Sequence, residues 1–346
     1  MRLKIVILTV ILFLGGLSGC GILNGSNETP ASLSRTNFAL GTFVTVSTPD
    51  TSAMAAAAFD RAFERLSEIE MIASAKNADS ELFYVNQNAF KNDIAVSEEL
   101  FFLLETGLYY SSLTNGAFDI TLGSVVELWG IGTNAEFVRG KPDEPEISAA
   151  IENSGYEHLV LNENDRSVRF LREGLRIDLG ALAKGYAADE MKRILVENGV
   201  TSAILDLGGD IHTIGNKNGA GWRIGITDPR SPGESCMVVR VFDKAVVTSG
   251  DYERFLIHEG VRYHHIFDAR TGMPADSGII SATAIAESAM LADTLSTALF
   301  VMGAERAIEF MRIIEIAPTR LEIDYVLIDS DMNFYYSEGF YPELIE

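Results

Sequence analysis

Hydrophobic residues along this chain recur with two periods. Residues 42–47 (TFVTVS) alternate with period two and are rich in β-branched side chains, which predicts a strand. Phe59, Ala62, Phe63, Leu66, Ile69 and Ala73 then return every three or four residues, predicting an amphipathic helix over 52–73. Ser97 opens a second helix, EELFFLLETGLYYSSL, which stops before Asn115-Gly116. The runs HLVLN and SVRFL flank the turn residues 163–166 and predict a hairpin over 158–171. A helix follows over 181–199 with Gly199 as its stop, then a strand, SAILDL, and a Gly208-Gly209 turn. Further strands are expected at 222–226, 236–242, 245–248, 262–267 and 280–286, helices near 288–302 and 304–316, and a closing strand pair in YVLIDSDMNFYY. Strands in runs and helices in groups, with a hairpin at the centre, indicate an α+β fold of mixed and antiparallel sheets with packed helices, not a βαβ series.

Composition narrows the class. With 346 residues, 47% hydrophobic and 22% charged, the chain can bury a large core, which excludes disordered, fibrous and small disulfide-framework proteins. A formal net charge of −22 repels phosphodiester backbones, so nucleic acid is excluded as a partner and any phosphate-bearing ligand needs local cations. The start of the chain pairs a positive Met1-Arg2-Leu3-Lys4 with an apolar run from Ile5 to Leu17 and then Ser18-Gly19-Cys20. That run is too short to span ~30 Å of hydrocarbon and ends in small residues, the pattern of a lipoprotein signal peptide over 1–19 with lipid carried on Cys20. Residues 20–37 are rich in Gly, Ser, Asn and Thr and are expected to form a flexible tether; residues 38–346 are expected to form a single domain. With Cys20 acylated, Cys236 has no intramolecular disulfide partner.

The candidate chemistry lies in segments that are individually weak signals: GAFDITLGSVVELWGIG (116–132), IDLGALAKGY (177–186), DLGGD (206–210), TSGDYER (248–254), HHIFDARTG (264–272) and ADTLSTAL (292–299). Asp178, Ala181 and Lys184 fall at a strand end and the first turn of a helix, where free N–H groups and a cation suit phosphate, while Gly180 and Gly185 would let backbone approach a ligand. Asp293 and Thr297, four apart on a helix, put a carboxylate and a hydroxyl on one face. That pairing suits a hard cation such as Mg²⁺, and it is equally what a first-turn Asp with a buried Thr looks like. His265 is the candidate acid/base; its neighbour His264 would point to the opposite face of a strand.

Taken in their order, these segments resemble the ApbE-type FAD:protein FMN transferases, over a stretch from Leu40-Gly41-Thr42 to the helix near 300. The resemblance implies a T-fold-like ApbE architecture that binds FAD, with Leu40, Ala117, Phe118, Asp119, Asp178, Lys184 and Phe267 as flavin-nucleotide contacts. It further implies Mg²⁺ held by Asp293, Thr297 and the carbonyl of Ala181, and His265 as the catalytic residue. The implied reaction is Mg²⁺-dependent transfer of FMN from FAD to a Ser or Thr hydroxyl of an exported or membrane redox protein, with release of AMP. The lipid would hold such an enzyme at the outer, periplasmic face of the cytoplasmic membrane. Three positions depart from the family pattern: Leu40 stands where Met is common, Ala269 where Pro is usual, and Lys76-Asn77 where an aromatic residue often precedes the Asp79-Ser80 pair. Losing an aromatic platform removes roughly 1 kcal/mol of ring contact and favours turnover over storage of FAD. The alternatives are an FAD pyrophosphatase using water as nucleophile and a non-catalytic flavin-binding lipoprotein; a solute-binding lipoprotein would need crossover strands that the pattern lacks.

Overall fold

Eight antiparallel strands form the central sheet, in the order Leu33–Ala39, Thr42–Thr48, Ala203–Leu207, Ile211–Ile214, Ala245–Gly250, Ile279–Ala286, Asp324–Asp329 and Phe334–Tyr336. The computed structural model describes residues 32–132, 140–217, 219–316 and 322–345. The expected signal peptide and lipid-bearing Cys20 lie outside the described residues.

One face of the sheet carries helices. Ala53–Ala73 packs on Ala183–Glu197, which packs on Ala289–Met302, and that last helix lies on the strands Ala245–Gly250 and Ile279–Ala286. Val44, Val46, Leu205, Leu207, Val247, Ala282 and Ala284 meet Phe59, Leu66, Met191, Leu195, Leu295 and Leu299 in the main core. The other face is covered by a three-stranded sheet of Trp222–Thr227, Ser235–Val241 and Glu343–Leu344, through Val246, Ile285, Val326 and Ile328 against Ile224, Met237 and Val239. A strand covered on both sides loses its polar positions, and all eight residues of IISATAIA are buried. Ala289–Met302 is likewise buried nearly all round, which is why its sequence shows little amphipathic contrast.

Helix starts follow local chemistry. Ser52 Oγ accepts from Ala55 N at 3.1 Å, and Ser97 Oγ accepts from Leu100 N at 3.1 Å, so both long helices begin where their serines stand. Four expectations need correction. The expected tether ends too late: Leu33–Ala39 pairs in full register with Thr42–Thr48, because a Ser/Thr-rich stretch alternates well enough for an edge strand, with Ser34 bonded to Ser47 at 2.8 Å and Thr36 to Thr45 at 2.9 Å. The strand expected at 262–267 is Val261–His264, paired with Phe255–His258, and the chain leaves the ladder at His265. The helix expected from 181 begins at Ala183, with 181–182 in the preceding turn. Short helices at Glu81–Asn88, Gly123–Trp129 and Glu144–Glu152 went unread, although the last announces itself with an Asp143/Glu146 capping box.

Candidate functional site

A cleft of about 890 Å³ opens at the end of the sheet where the turns after several strands converge, at the upper end of the roughly 300–1,000 Å³ typical of ligand pockets. Leu40, Ala117, Phe118 and Asp119 line one part of it, and Asp178, Ala181, Lys184, His265, Phe267, Asp293 and Thr297 another. Residues spread over more than 250 positions of sequence are thus gathered round one space. The folding reason is local. Asp178 N donates to the Ile120 carbonyl at 2.8 Å, which lays the 117–120 segment beside the turn into Ala183–Glu197. The Asp119 carboxylate accepts from Thr121 N at 2.8 Å and Thr121 Oγ1 at 2.7 Å, and burial raises its pKa above the ordinary carboxylate value.

Lys184 is the electrostatic centre. Its Nζ donates to Asp210 and to Asp293 Oδ1 at 3.1 Å; both carboxylates are buried, 6% and 3% exposed. Burial alone would lower the Lys184 pKa, and the charges of Asp210 and Asp293 outweigh it, so the ammonium stays protonated. Asp210 moves the other way, up to about 6, because burial and the charge of Asp293 exceed the attraction of Lys184. Ala183–Glu197 starts without a side-chain cap, and Gly185 N donates instead to Asp293 Oδ2 at 3.2 Å. The expectation that Gly185 admits a ligand is corrected: a Cβ there would lie 2.4 Å from the Ala289 carbonyl oxygen, so its hydrogen lets two helix backbones approach. Gly180, by contrast, lines the cleft, its N–H donating to Asp178 Oδ1 at 2.8 Å.

Asp293 and Thr297 sit one turn apart on Ala289–Met302, and Thr297 Oγ1 lies 3.2 Å from Ser249 Oγ. Among the described residues no group of three or more His, Cys, Asp or Glu side chains forms a ligand set. The donors available are a carboxylate and hydroxyls, a set that fits a hard cation completing its shell with water and substrate oxygens. The charge balance points the same way, with Asp210 and Asp293 facing the ammonium of Lys184, and Glu253 also lines the cleft without adding to that balance. Enclosure by the cleft walls, with Asp210 and Asp293 nearby, raises the Glu253 carboxyl above its usual range.

His265 stands just past its strand. Its Nδ1 meets the Arg254 carbonyl at 3.2 Å and its backbone N donates to the same oxygen at 3.1 Å. That contact assigns the proton to Nδ1 and leaves the lone pair on Nε2. Burial, aided by the charge of Arg254, pulls the pKa down to about 3, so the ring is neutral near pH 7. His264 turns away: its Nε2 donates to the Ala275 carbonyl at 3.1 Å, its Nδ1 accepts from Ile266 N at 3.3 Å, and its ring stands edge-on to Phe300. Phe267 is buried beside Trp129, whose Nε1 donates to the Gly272 carbonyl at 2.8 Å and pins the 268–272 turn. Asp268 holds that turn through Arg270 N at 2.9 Å.

Sequence reasoning passed over Asp210, Ser249, Tyr252, Glu253, Arg254 and Phe38, all on the cleft wall. Asp210, Ser249 and the 252–254 run lie inside segments already singled out, but nothing in one dimension says which of their side chains point inward. Phe38, 66% exposed, supplies an aromatic surface at the mouth from a part of the chain read as the tether boundary.

Known proteins resemble this chain in sequence and in fold. Residues 40–317 match the ApbE family model. The FAD:protein FMN transferase of Treponema pallidum (strain Nichols) is 35% identical over 311 residues, covering 85% of each chain, and that of Vibrio cholerae is 34% identical over 281 residues, covering 81% of this chain and 82% of the other. The crystal structure of the ApbE protein from Thermotoga maritima superposes with a TM-score of 0.81 at 33% identity, covering 90% of this chain and 98% of its own. The flavin transferase ApbE of Vibrio cholerae gives 0.76 at 29% identity, covering 89% and 96%. A shared fold and a match along nearly the whole domain lead to one conclusion: the chain belongs to the ApbE family.

Proposed function

We propose that this protein transfers FMN from FAD to a Ser or Thr hydroxyl of an acceptor protein and releases AMP. The observation that carries the reading is the cleft itself, where Lys184, paired with the buried carboxylates of Asp210 and Asp293, shares with a neutral His265 a space large enough for a dinucleotide. FAD:protein FMN transferase is also the name borne by relatives at 30–35% identity. In the step, the acceptor oxygen attacks the FMN phosphorus, the bond from that phosphorus to the AMP oxygen breaks, and the hydroxyl proton passes to His265 Nε2. His265 is a weak base in the free protein, and the phosphate charges of bound FAD favour its protonated form as the proton arrives. Lys184 places a fixed cation beside the pyrophosphate, and Asp210 keeps it oriented. Asp293, Thr297 and the Ala181 carbonyl are the residues that would hold Mg²⁺, which when bound neutralises charge on the pyrophosphate. Asp293→Ala should therefore abolish most of the Mg²⁺-dependent turnover; metal-dependent activity at the normal rate would reject Asp293 as a ligand.

The acceptor is read as a membrane redox subunit, with Cys20 carrying lipid that keeps the enzyme at the periplasmic face of the cytoplasmic membrane. A second reading, FAD hydrolysis to FMN and AMP, rests on Lys76 and Asn77, which line the cleft where an aromatic platform is often found. Chromatography of FAD incubated with protein and Mg²⁺, with and without candidate acceptors, separates the two. Fluorescent acceptor bands in a gel support transfer, and FMN accumulating at the same rate without acceptor supports hydrolysis.

A further inference from the structure

The turn joining the edge strand Leu33–Ala39 to its neighbour Thr42–Thr48 is built in an unusual conformation. Leu40 has φ 51° and Gly41 φ 73°, the left-handed pair of a tight hairpin turn. Glycine adopts this freely, but a branched residue such as leucine does so only where its surroundings over-determine it. Two groups from distant parts of the chain do so here. Glu70, near the end of Ala53–Ala73, accepts from Leu40 N through Oε1 at 2.9 Å, and Arg254 Nη2 donates to the Gly41 carbonyl at 3.2 Å. Glu70, Leu40, Gly41 and Arg254 all line the cleft. Arg254 reaches further, since its own carbonyl is the acceptor that fixes His265.

We propose that Glu70 and Arg254 are positioning residues that clamp the strained Leu40–Gly41 turn as a preformed wall of the nucleotide cleft, with Arg254 joining that wall to the loop of His265. The inference rests on reading the cleft as an FAD site. Leu40 is the residue the clamp acts through. Without it the turn relaxes toward conformations that leucine prefers, and FAD must then restore the wall when it binds. The loss therefore falls on binding, while the chemical step keeps its rate.

The test uses the protein's own backbone and then its ligand. In Glu70→Ala, hydrogen exchange at the Leu40 amide should speed up about tenfold or more, as expected when a hydrogen bond to a charged acceptor is removed. Glu70→Gln, whose amide oxygen still accepts, should stay within about threefold of the parent. FAD affinity by fluorescence titration and KM for FAD should weaken about tenfold in Glu70→Ala, with kcat retained, and recover in Glu70→Gln; Arg254→Ala should weaken FAD affinity by a similar factor, and its kcat is left out of the test because the Arg254 charge also acts on His265. Because both side chains hold one turn, the double variant should lose less than the sum of the single losses. Exchange and affinity equal to the parent's, or a fall confined to kcat, overturn the clamp. Should Glu70→Ala fail to fold, Arg254→Ala carries the same measurement from the other side of the turn. A parent protein that binds FAD but never transfers FMN overturns the functional reading alone, because exchange at Leu40 and FAD affinity report the clamp without chemistry.

Discussion

His265 owes its protonation state to its neighbours. Nδ1 is engaged by the Arg254 carbonyl, so Nε2 is the atom able to take a proton, and nothing about two adjacent histidines in a sequence states this. His265→Ala should lower FMN transfer by ~10²–10⁴ while FAD affinity changes little, because the proton moves only in the transition state. His264→Ala should leave the rate nearly intact and weaken the fold by roughly 1–3 kcal/mol, since Ala275 O and Ile266 N lose buried partners. Gel fluorescence for transfer and urea unfolding for stability separate the two, and the reverse pattern would mean that His264 carries the chemistry. A third histidine, like His265, makes the fold sensitive to acid. His212 is 1% exposed, Lys192 Nζ lies 2.9 Å from its Nε2, and burial first and the Lys192 charge second pull its pKa down to about 3. Below the ordinary histidine value of about 6.5 the unfolded chain takes up a proton that the folded chain refuses, so stability falls as pH drops from there toward about 3. His212→Gln should flatten the dependence of unfolding free energy on pH between about 6.5 and 4.5, where His212 contributes up to ~1.4 kcal/mol per pH unit. An unchanged slope would place the acid sensitivity elsewhere.

Two helices make the charged centre possible. Ala183–Glu197 brings Lys184 and Ala289–Met302 brings Asp293, and they meet where Gly185 crosses Ala289. Asp189, on the first helix, caps the second: its carboxylate accepts from Ala289 N at 2.7 Å and Met290 N at 3.0 Å, and from Ser288 Oγ at 2.7 Å. The pair therefore behaves as one element, with a site residue on each half. Gly185→Ala should push the two apart, lowering stability by ~1–3 kcal/mol and transfer activity with it. Urea midpoints and gel fluorescence on the same preparation check this, and a variant as stable and active as the parent would show that the contact has room to give.

At the scale of the molecule, a sheet covered on both faces leaves its end as the place where turns can converge, and the cleft lies there. In a chain of net charge −22, Lys184 is a local cation at the cleft, although its two carboxylate partners, Asp210 and Asp293, leave the cluster itself negative. Among the described residues no helix is long and apolar enough to cross a membrane; the proposed attachment is through Cys20. Cys20→Ala should release the protein to the soluble fraction with catalysis intact, measured by fractionation and FAD turnover; a variant still held on the membrane would contradict lipid attachment at that residue.

The sequence by itself determined the elements whose signals are local. Ser52, Ser97 and Ser288 start their helices by satisfying orphan N–H groups within three residues, and the hairpin at 158–171 and the strand pair at its end follow from alternation bounded by turn residues. It also placed the motif segments, because Lys184 and its flanking glycines, or Asp293 and Thr297 one turn apart, are patterns within a few residues of each other. What only the tertiary structure decided is everything that depends on separation in space. Glu70 meets Leu40 across 30 positions, Arg254 meets Gly41 across 213, and Lys184 meets Asp293 across 109. A glycine that seemed to serve a ligand serves a neighbouring helix, and a polar stretch that seemed a tether is an edge strand, because hydrogen bonds and close packing are settled by the partner that arrives, and periodicity does not name the partner.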